Sequence, residues 1–387
     1  FYFIDIKNFT FLGFRFIINI VNDQQIFRNR RRKMKKEKVF IASTGIIVGL
    51  LAVLLVKFGN PGNMGLCIAC FIRDTAGALK LHSAGVVQYL RPEIIGIVLG
   101  ASVMAFSKKE LIARSGSNPV VRFVLGFFVM IGALMFLGCP LRMMLRIGGG
   151  DLNAVIGLVG FICGIVVGIV ALNKGFSLDR AHKVTTSEAY IFPIIQIVFL
   201  VLLVAVPTLL VFSAEGPGSK HAPIIISLAA GLIAGALAQR TRFCTVAGIR
   251  DSIMFKDFTM LIGFVSLIIT AVIMNMIFGF FNFGFAEQPI AHTDGLWNFL
   301  GMVLVGFASV LLGGCPLRQL ILSGEGNIDS VITVIGMFVG AAFCHNFGLA
   351  SSGEGPTANG QFAVIFGLIV VTVIALVNIA ANKKKGA

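Results

Sequence analysis

Long apolar stretches separated by short polar segments dominate the chain. A helix needs roughly 20 apolar residues to cross a hydrocarbon core of about 30 Å, and shorter spans are tolerated in irregular bundles. This criterion predicts ten spanning helices, near 39–58, 92–106, 120–138, 151–172, 189–213, 223–238, 258–281, 297–314, 328–348 and 362–381. The pattern therefore predicts an all-α polytopic membrane protein.

Four other stretches are too polar or too interrupted to span, yet too apolar to be free loops. Each is bounded by Gly or Pro and contains a Cys and an Arg. Backbone that is not continuous helix lies at membrane depth only where protein buries it or where it lines a wet cavity. We interpret these stretches as re-entrant half-helices that meet near the membrane midplane, at 61–80, 139–150, 240–257 and 315–327.

An internal repeat organises these segments. The sequence Gly-Cys-Pro-Leu-Arg at 138–142 recurs identically at 314–318, and the Cys, Ile, Arg and Asp at 67, 72, 73 and 74 recur at 244, 249, 250 and 251. Each half then holds five spans, an odd number, so the second half must be inverted relative to the first. We predict a first membrane repeat at 34–213 and a second, inverted repeat at 214–387.

The positive charges predict the orientation. Loops 282–296 and 349–361 contain no Lys or Arg, which places them outside. Both termini are then cytoplasmic, as expected of a bacterial inner-membrane protein. The basic residues on the inner side are Lys35, Lys36, Lys38, Lys108, Lys109, Arg114, Lys174, Arg180, Lys183, Lys383, Lys384 and Lys385.

The first 33 residues contain no Met and end in a basic run, whereas Met34 is followed by lysines and the first long apolar stretch. We interpret 1–33 as a non-native or disordered extension, with translation starting at Met34. The alternative is an amphipathic membrane segment over 1–26.

Composition narrows the function classes. Hydrophobic residues make up 57% of the chain and charged residues 13%, against about 25% charged in soluble proteins. A soluble enzyme and a disulfide-stapled secreted domain are thereby excluded. The net charge of +15 lies in short clusters between apolar runs, which does not indicate nucleic-acid binding. Phosphate-binding loops, nucleophile elbows and zinc-protease motifs do not occur in the sequence, so we expect neither an enzyme nor a cofactor or metal site.

The repeated Gly-Cys-Pro-Leu-Arg motif combines three chemical features. Its Pro suits the first turn of a helix, so each copy is predicted to begin a short helix. Its Cys then occupies the cap, where free N–H groups and the helix dipole favour an anion, and its Arg adds a charge suited to oxyanions. The alternative is that these cysteines only fill space. The residues are Gly138, Cys139, Pro140 and Arg142 in the first copy, and Gly314, Cys315, Pro316 and Arg318 in the second.

The second duplicated set places charges in apolar surroundings. Ionisable residues there usually face a bundle interior or a pathway, although an ion pair that ties two helices together is an equal alternative. Cys67 and Cys70 form a lone Cys-x-x-Cys without the further ligands of a zinc site or the context of a redox fold. The duplicated residues are Cys67, Arg73 and Asp74, and Cys244, Arg250 and Asp251.

These motifs resemble the signature of the YeeE/YedE sulfur-transport family. The resemblance is carried by 239–244, by 249–251 and by both glycine–cysteine motifs, and segment 60–74 is most similar to the YedE branch, whose members are described as selenium transporters. It implies an inner-membrane permease in which cysteines pass an anion along by weak S–H hydrogen bonds, and a TusA-like cytoplasmic sulfurtransferase as partner. Carried over by motif, those cysteines are Cys67 or Cys244, Cys139 and Cys315.

We therefore expect uptake of a small selenium- or sulfur-containing anion through a cysteine-lined, positively charged pathway. This chain differs from the thiosulfate branch in the Pro and Arg that follow the motif cysteines. The alternatives are a thiosulfate transporter, a membrane redox or sulfurtransferase protein that uses Cys67 and Cys70, and a channel for another inorganic anion.

Overall fold

The computed structural model describes residues 34–179 and 181–385. The residues at 1–33, on which the prediction of an N-terminal extension falls, and Arg180 lie outside the described part. The helices are α1 (Met34–Lys57), α2 (Ile68–Ala78), α3 (Pro92–Ser107), α4 (Pro119–Met135), α5 (Pro140–Gly148), α6 (Leu152–Asn173), α7 (Ile191–Ala205), α8 (Gly216–Ser219), α9 (Ile224–Thr241), α10 (Thr245–Phe255), α11 (Thr259–Phe278), α12 (Gly295–Leu311), α13 (Pro316–Gly324), α14 (Ile328–Asn346) and α15 (Ala358–Lys385).

Helices account for most of the described residues, and the regular sheet is a single short ribbon. Its strands are β1 (Arg114–Ser115) and β2 (His182–Lys183), which pair antiparallel with Arg114 opposite Lys183. Two 3-10 turns, Thr186–Tyr190 and Pro207–Leu209, flank α7.

The ten predicted spans coincide with α1, α3, α4, α6, α7, α9, α11, α12, α14 and α15. Within the described residues, nine helical segments are long and apolar enough to cross a membrane, and α3 is a shorter apolar helix. The prediction of an all-α polytopic membrane protein is therefore confirmed. The largest difference in boundary is at the predicted span 189–213, whose α-helix ends at Ala205, just before a 3-10 turn that begins with Pro207.

The capping residues of the long helices repeat in the two halves. The side chain of Asn118 accepts hydrogen bonds from the first turn of α4, and Asp294 does the same for α12. Asp151 caps α6 and Asn327 caps α14 in the same way. Each cap satisfies N–H groups that the first turn of a helix leaves without intrahelical partners.

The two halves exchange partners in the core. Helix α4 packs on α14, and its repeat counterpart α12 packs on α6. Glycines allow close approach at these crossings, since a Cβ on Gly164 of α6 would overlap the carbonyl oxygen of Val303 on α12. The contacts run in the same direction along both helices, from Gly160 with Phe299 to Gly164 with Val303, so α6 and α12 are parallel.

This reciprocal exchange favours two repeats related by a two-fold axis. The same relation holds outside the core, where α3 packs on α9 and α1 on α11 through glycine contacts. The opposite orientation of the repeats in the membrane and the boundary between 213 and 214 stay predictions.

Candidate functional site

A short helix occupies each of the four stretches interpreted as re-entrant: α2, α5, α10 and α13. The residue before each of them is a cysteine with extended backbone. In α5 and α13 the first helical residues are Pro140 and Pro316, as the motif predicts. The four cap cysteines are Cys67, Cys139, Cys244 and Cys315.

The first two cap cysteines form a thiol pair. Cys139 Sγ accepts a hydrogen bond from the backbone N–H of Ile68 at 3.3 Å, and Cys67 Sγ accepts one from the N–H of Cys70 at 3.3 Å. Because Ile68 directly follows Cys67, the first of these bonds brings the two cysteines next to each other. Both side chains are fully buried. The N-termini of α2 and α5 therefore meet at this pair.

The second two cap cysteines repeat the arrangement. The backbone N–H of Cys315 donates to Cys244 Sγ at 3.5 Å. Both side chains are again buried. The structure thus brings the four predicted cysteines together as two pairs, one in each repeat.

Arg142 lies against the first pair and is completely buried. It bonds to backbone carbonyl oxygens of three separate segments rather than to a carboxylate. Cys70, which the repeat does not share, joins this site through a contact of 3.6 Å between its sulfur and Arg142 Nη1. The carbonyl acceptors are Asn63 at 3.1 Å from Nε, Leu137 from Nη1, and Pro289 and Ile290, each at 3.2 Å from Nη2.

Arg318, the counterpart of Arg142, has a different partner. Its Nη1 donates to Glu325 Oε1 at 3.0 Å, and both side chains are partly exposed. The position equivalent to Glu325 in the first repeat is Gly149. Glu325 also lines a cavity of about 180 Å³ together with Arg242 and other polar residues. Motif comparison missed Glu325 because the motif ends at the arginine.

The duplicated Arg-Asp pairs lie in unequal surroundings. Asp74 binds Arg73 at 2.7 Å and also Arg91 at 2.7 Å, with all three side chains buried. Arg250 and Asp251 pair at 2.8 Å, and about a quarter of each side chain is exposed. Asp74 therefore ties α2 to the start of α3. The sequence signal for Arg91 is its position directly before Pro92, the first residue of that helix.

The two remaining cysteines differ from each other. Cys344 is buried on α14, whereas Cys163 is exposed on α6. Position 163 falls on the outward face of a helix whose partners lie on the glycine-rich side. In residues 34–179 and 181–385, no group of three or more His, Cys, Asp or Glu side chains is arranged to hold a metal ion.

Comparison with known proteins assigns a family resemblance to the second half of the chain. Residues 240–383 match the family described as sulphur transport. The chain is also similar to the thiosulfate transporter TsuA of Escherichia coli (strain K12), with 29% identity over 120 residues, 31% of this chain. The match spans 33% of that transporter, about a third of its length. The resemblance to the YeeE/YedE sulfur-transport family is thereby confirmed.

Proposed function

We propose that the protein carries a small sulfur- or selenium-containing anion across the bacterial inner membrane, along its two thiol pairs. The observation that carries the proposal is the pairing itself: each repeat places two buried thiols where two helix N-termini meet. N–H groups and the positive ends of helix dipoles favour anions at such positions.

The chemistry of the pairs suits passage more than retention. A thiol is a weak hydrogen-bond donor and a polarizable group, so it can contact the soft sulfur or selenium of an anion without holding it tightly. Conduction requires sites that bind well enough to admit the ion and weakly enough to release it. In this proposal Arg142 supplies positive charge at the first pair and Arg318 at the second, with Arg73 and Arg250 on the neighbouring helices.

There are two candidate substrates. Similarity to a thiosulfate transporter supports thiosulfate, whereas the YedE-like motif around Cys67 and the Pro and Arg after Cys139 and Cys315 support a selenium anion. A TusA-like sulfurtransferase on the cytoplasmic side is the partner we propose to receive the cargo, with both termini of the permease on the same side.

The test is uptake of radiolabelled thiosulfate and selenite into proteoliposomes. We expect Cys139→Ala and Cys315→Ala to abolish uptake while the protein still elutes as a folded species. Cys163→Ala is the matched control, since that thiol is exposed on α6, and it should transport normally. Undiminished uptake by both pair variants would contradict the thiol pathway, and the label that enters identifies the substrate.

A membrane sulfurtransferase is the second candidate, because the backbone N–H of Cys70 donates to Cys67 Sγ at 3.3 Å, which brings these two cysteines together. With thiosulfate, the thiolate of one of these residues would take the outer sulfur and release sulfite, so such an enzyme would carry a cysteine persulfide after turnover. Intact-mass measurement of protein recovered from active proteoliposomes distinguishes the two, since a permease should show no added sulfur or selenium.

A further inference from the structure

A cavity of about 380 Å³ opens beside Arg73, and we name it the Arg73 cavity. It is bordered by the turn between α4 and α5, the connection between α11 and α12, and the segment that follows α14. On the predicted orientation, these connections lie on the outer side. The lining residues used below are Arg73, Leu137, Ile290, His345 and Ser352.

The charges around this cavity favour an anion with two negative charges. Arg73 and Arg91 share the single carboxylate of Asp74, which leaves one positive charge. Arg142 adds a second positive charge, because no carboxylate of the described residues forms an ion pair with it. Its hydrogen bonds go to backbone carbonyl oxygens and to the Cys70 thiol. Buried charge is strongly unfavourable until it is neutralised. His345 lies in the same wall with its Nε2 buried and unpaired.

Leu137 and Ile290 connect the cavity to the thiols through Arg142. Both residues line the cavity, and the carbonyl oxygens of both accept hydrogen bonds from Arg142. The other contact of Arg142 Nη1 is Cys70, whose backbone N–H donates to Cys67 Sγ at 3.3 Å. The order from cavity to thiols is therefore Leu137 and Ile290, then Arg142, then the cysteines.

The same two residues have strained backbone. Leu137 has φ of 59° and Ile290 has φ of 51°, a region that side chains other than glycine rarely adopt and that is a clear outlier for a β-branched residue. Such strain persists only where surrounding contacts hold it. In the second repeat, the position equivalent to Leu137 is Gly313 with φ of 79°, which adopts this turn freely.

We propose that the Arg73 cavity captures a doubly charged oxyanion, and that Leu137 and Ile290 form a gate above the Cys67–Cys139 pair which Arg142 holds closed. The proposal rests on the proposed anion transport and adds its entry step. An anion that reaches Arg142 replaces the carbonyl oxygens as partners of the guanidinium. The strained residues then lose the contacts that hold them, and the way to the thiols opens.

The gate is tested by how fast an anionic methanethiosulfonate, the sulfonatoethyl reagent, labels the first thiol pair in purified protein. Leu137→Gly copies the second repeat and removes the side chain from the gate, so we expect labelling about tenfold faster than in the wild type. Leu137→Met keeps the bulk and is the control, with an unchanged rate. Peptide mass spectrometry reads the modification of Cys67, Cys70 and Cys139. An unchanged rate in Leu137→Gly would overturn the gate.

The capture site is tested with a reporter thiol at its rim. Ser352 is exposed and lines the cavity, so Ser352→Cys should react readily with the same reagent. We expect thiosulfate and sulfate to slow this reaction several-fold at constant ionic strength, and chloride to have no effect. Ser177→Cys, exposed and outside the cavity, should be unaffected by all three. Absence of protection, or equal protection by chloride, would overturn the capture site.

These measurements are independent of transport. If anions fail to protect Ser352→Cys and Leu137→Gly is labelled at the wild-type rate while uptake is normal, the capture site and the gate are refuted but the proposed transport is not. Protection and gating in a protein that transports neither label would instead refute the proposed function.

Discussion

The carboxylate of Asp74 offers the sharpest test of the buried electrostatics. Its Oδ1 accepts from Nε and Nη2 of Arg73, and its Oδ2 accepts from Nε of Arg91 at 2.8 Å. Asp74→Asn keeps the shape but leaves two buried guanidinium groups without a counter-charge. Breaking a buried ion pair by removing one partner costs about 3–5 kcal/mol. We expect the free energy of unfolding to fall by that amount.

The second repeat supplies the matched control. Asp251 occupies the equivalent position, but it has one arginine partner and its side chain is 27% exposed. Ion pairs reached by solvent contribute about 0–1 kcal/mol, because water and salt screen them. Asp251→Asn should therefore lower the free energy of unfolding by less than about 1 kcal/mol.

The assay is reversible unfolding in mixed micelles, with the denaturing detergent fraction varied and helix content followed by circular dichroism. Both variants are compared with the wild type at one pH and ionic strength. When the salt concentration is raised, only the loss of unfolding free energy in Asp251→Asn should become smaller. Equal losses in the two variants, or a loss below 1 kcal/mol in Asp74→Asn, would refute the reasoning from burial.

Three further changes probe packing, pH and release. Gly164→Leu should lower the free energy of unfolding by about 1–3 kcal/mol, because the larger side chain forces α6 and α12 apart. Gly353→Ala is the control and should leave it unchanged, since an added Cβ there has no neighbour within 4 Å; both are measured by thermal unfolding. Burial lowers the pKa of His292, which lies in the connection between α11 and α12. Below the ordinary histidine pKa, the unfolded chain therefore binds a proton at this residue more readily than the folded protein does, which favours unfolding. The melting temperature should fall between pH 7 and 5, and less so in His292→Gln; an identical fall contradicts this. Glu325→Gln removes the carboxylate partner of Arg318, so initial-rate uptake should show a lower KM and a lower maximal rate, and unchanged values would contradict a role in release.

The helices and their starts could be predicted from sequence because their causes are local. Apolar length determines the spans, and a Pro in the first turn determines where α5 and α13 begin. The cysteines at their caps follow from the same motif. The two thiol pairs could be suspected from the repeat, but their pairing depends on how α2 meets α5 and how α10 meets α13.

The partners of Arg142 could not be predicted. The acceptors are backbone carbonyls, which every residue has, and those at 289 and 290 are far away along the chain. The backbone conformations of Leu137 and Ile290 were equally hidden, because neither residue type signals a left-handed turn. Sequence patterns can predict interactions that depend on particular side chains, but they cannot predict interactions that are made by backbone groups.

The two repeats differ in the charge around their motif arginines, which makes the two ends of the proposed pathway unequal. Both repeats carry the same thiol pair and the same arginine, yet Arg142 meets carbonyl dipoles whereas Arg318 meets the carboxylate of Glu325. An anion is drawn to the first arginine by an uncompensated charge, and at the second it competes with a resident carboxylate. Attraction is thus stronger at the first pair and release easier at the second. On the predicted orientation, the first pair lies toward the outside, so the stronger attraction is on the side where an anion would enter during uptake. The asymmetry arises from one position, where Gly149 in the first repeat corresponds to Glu325 in the second.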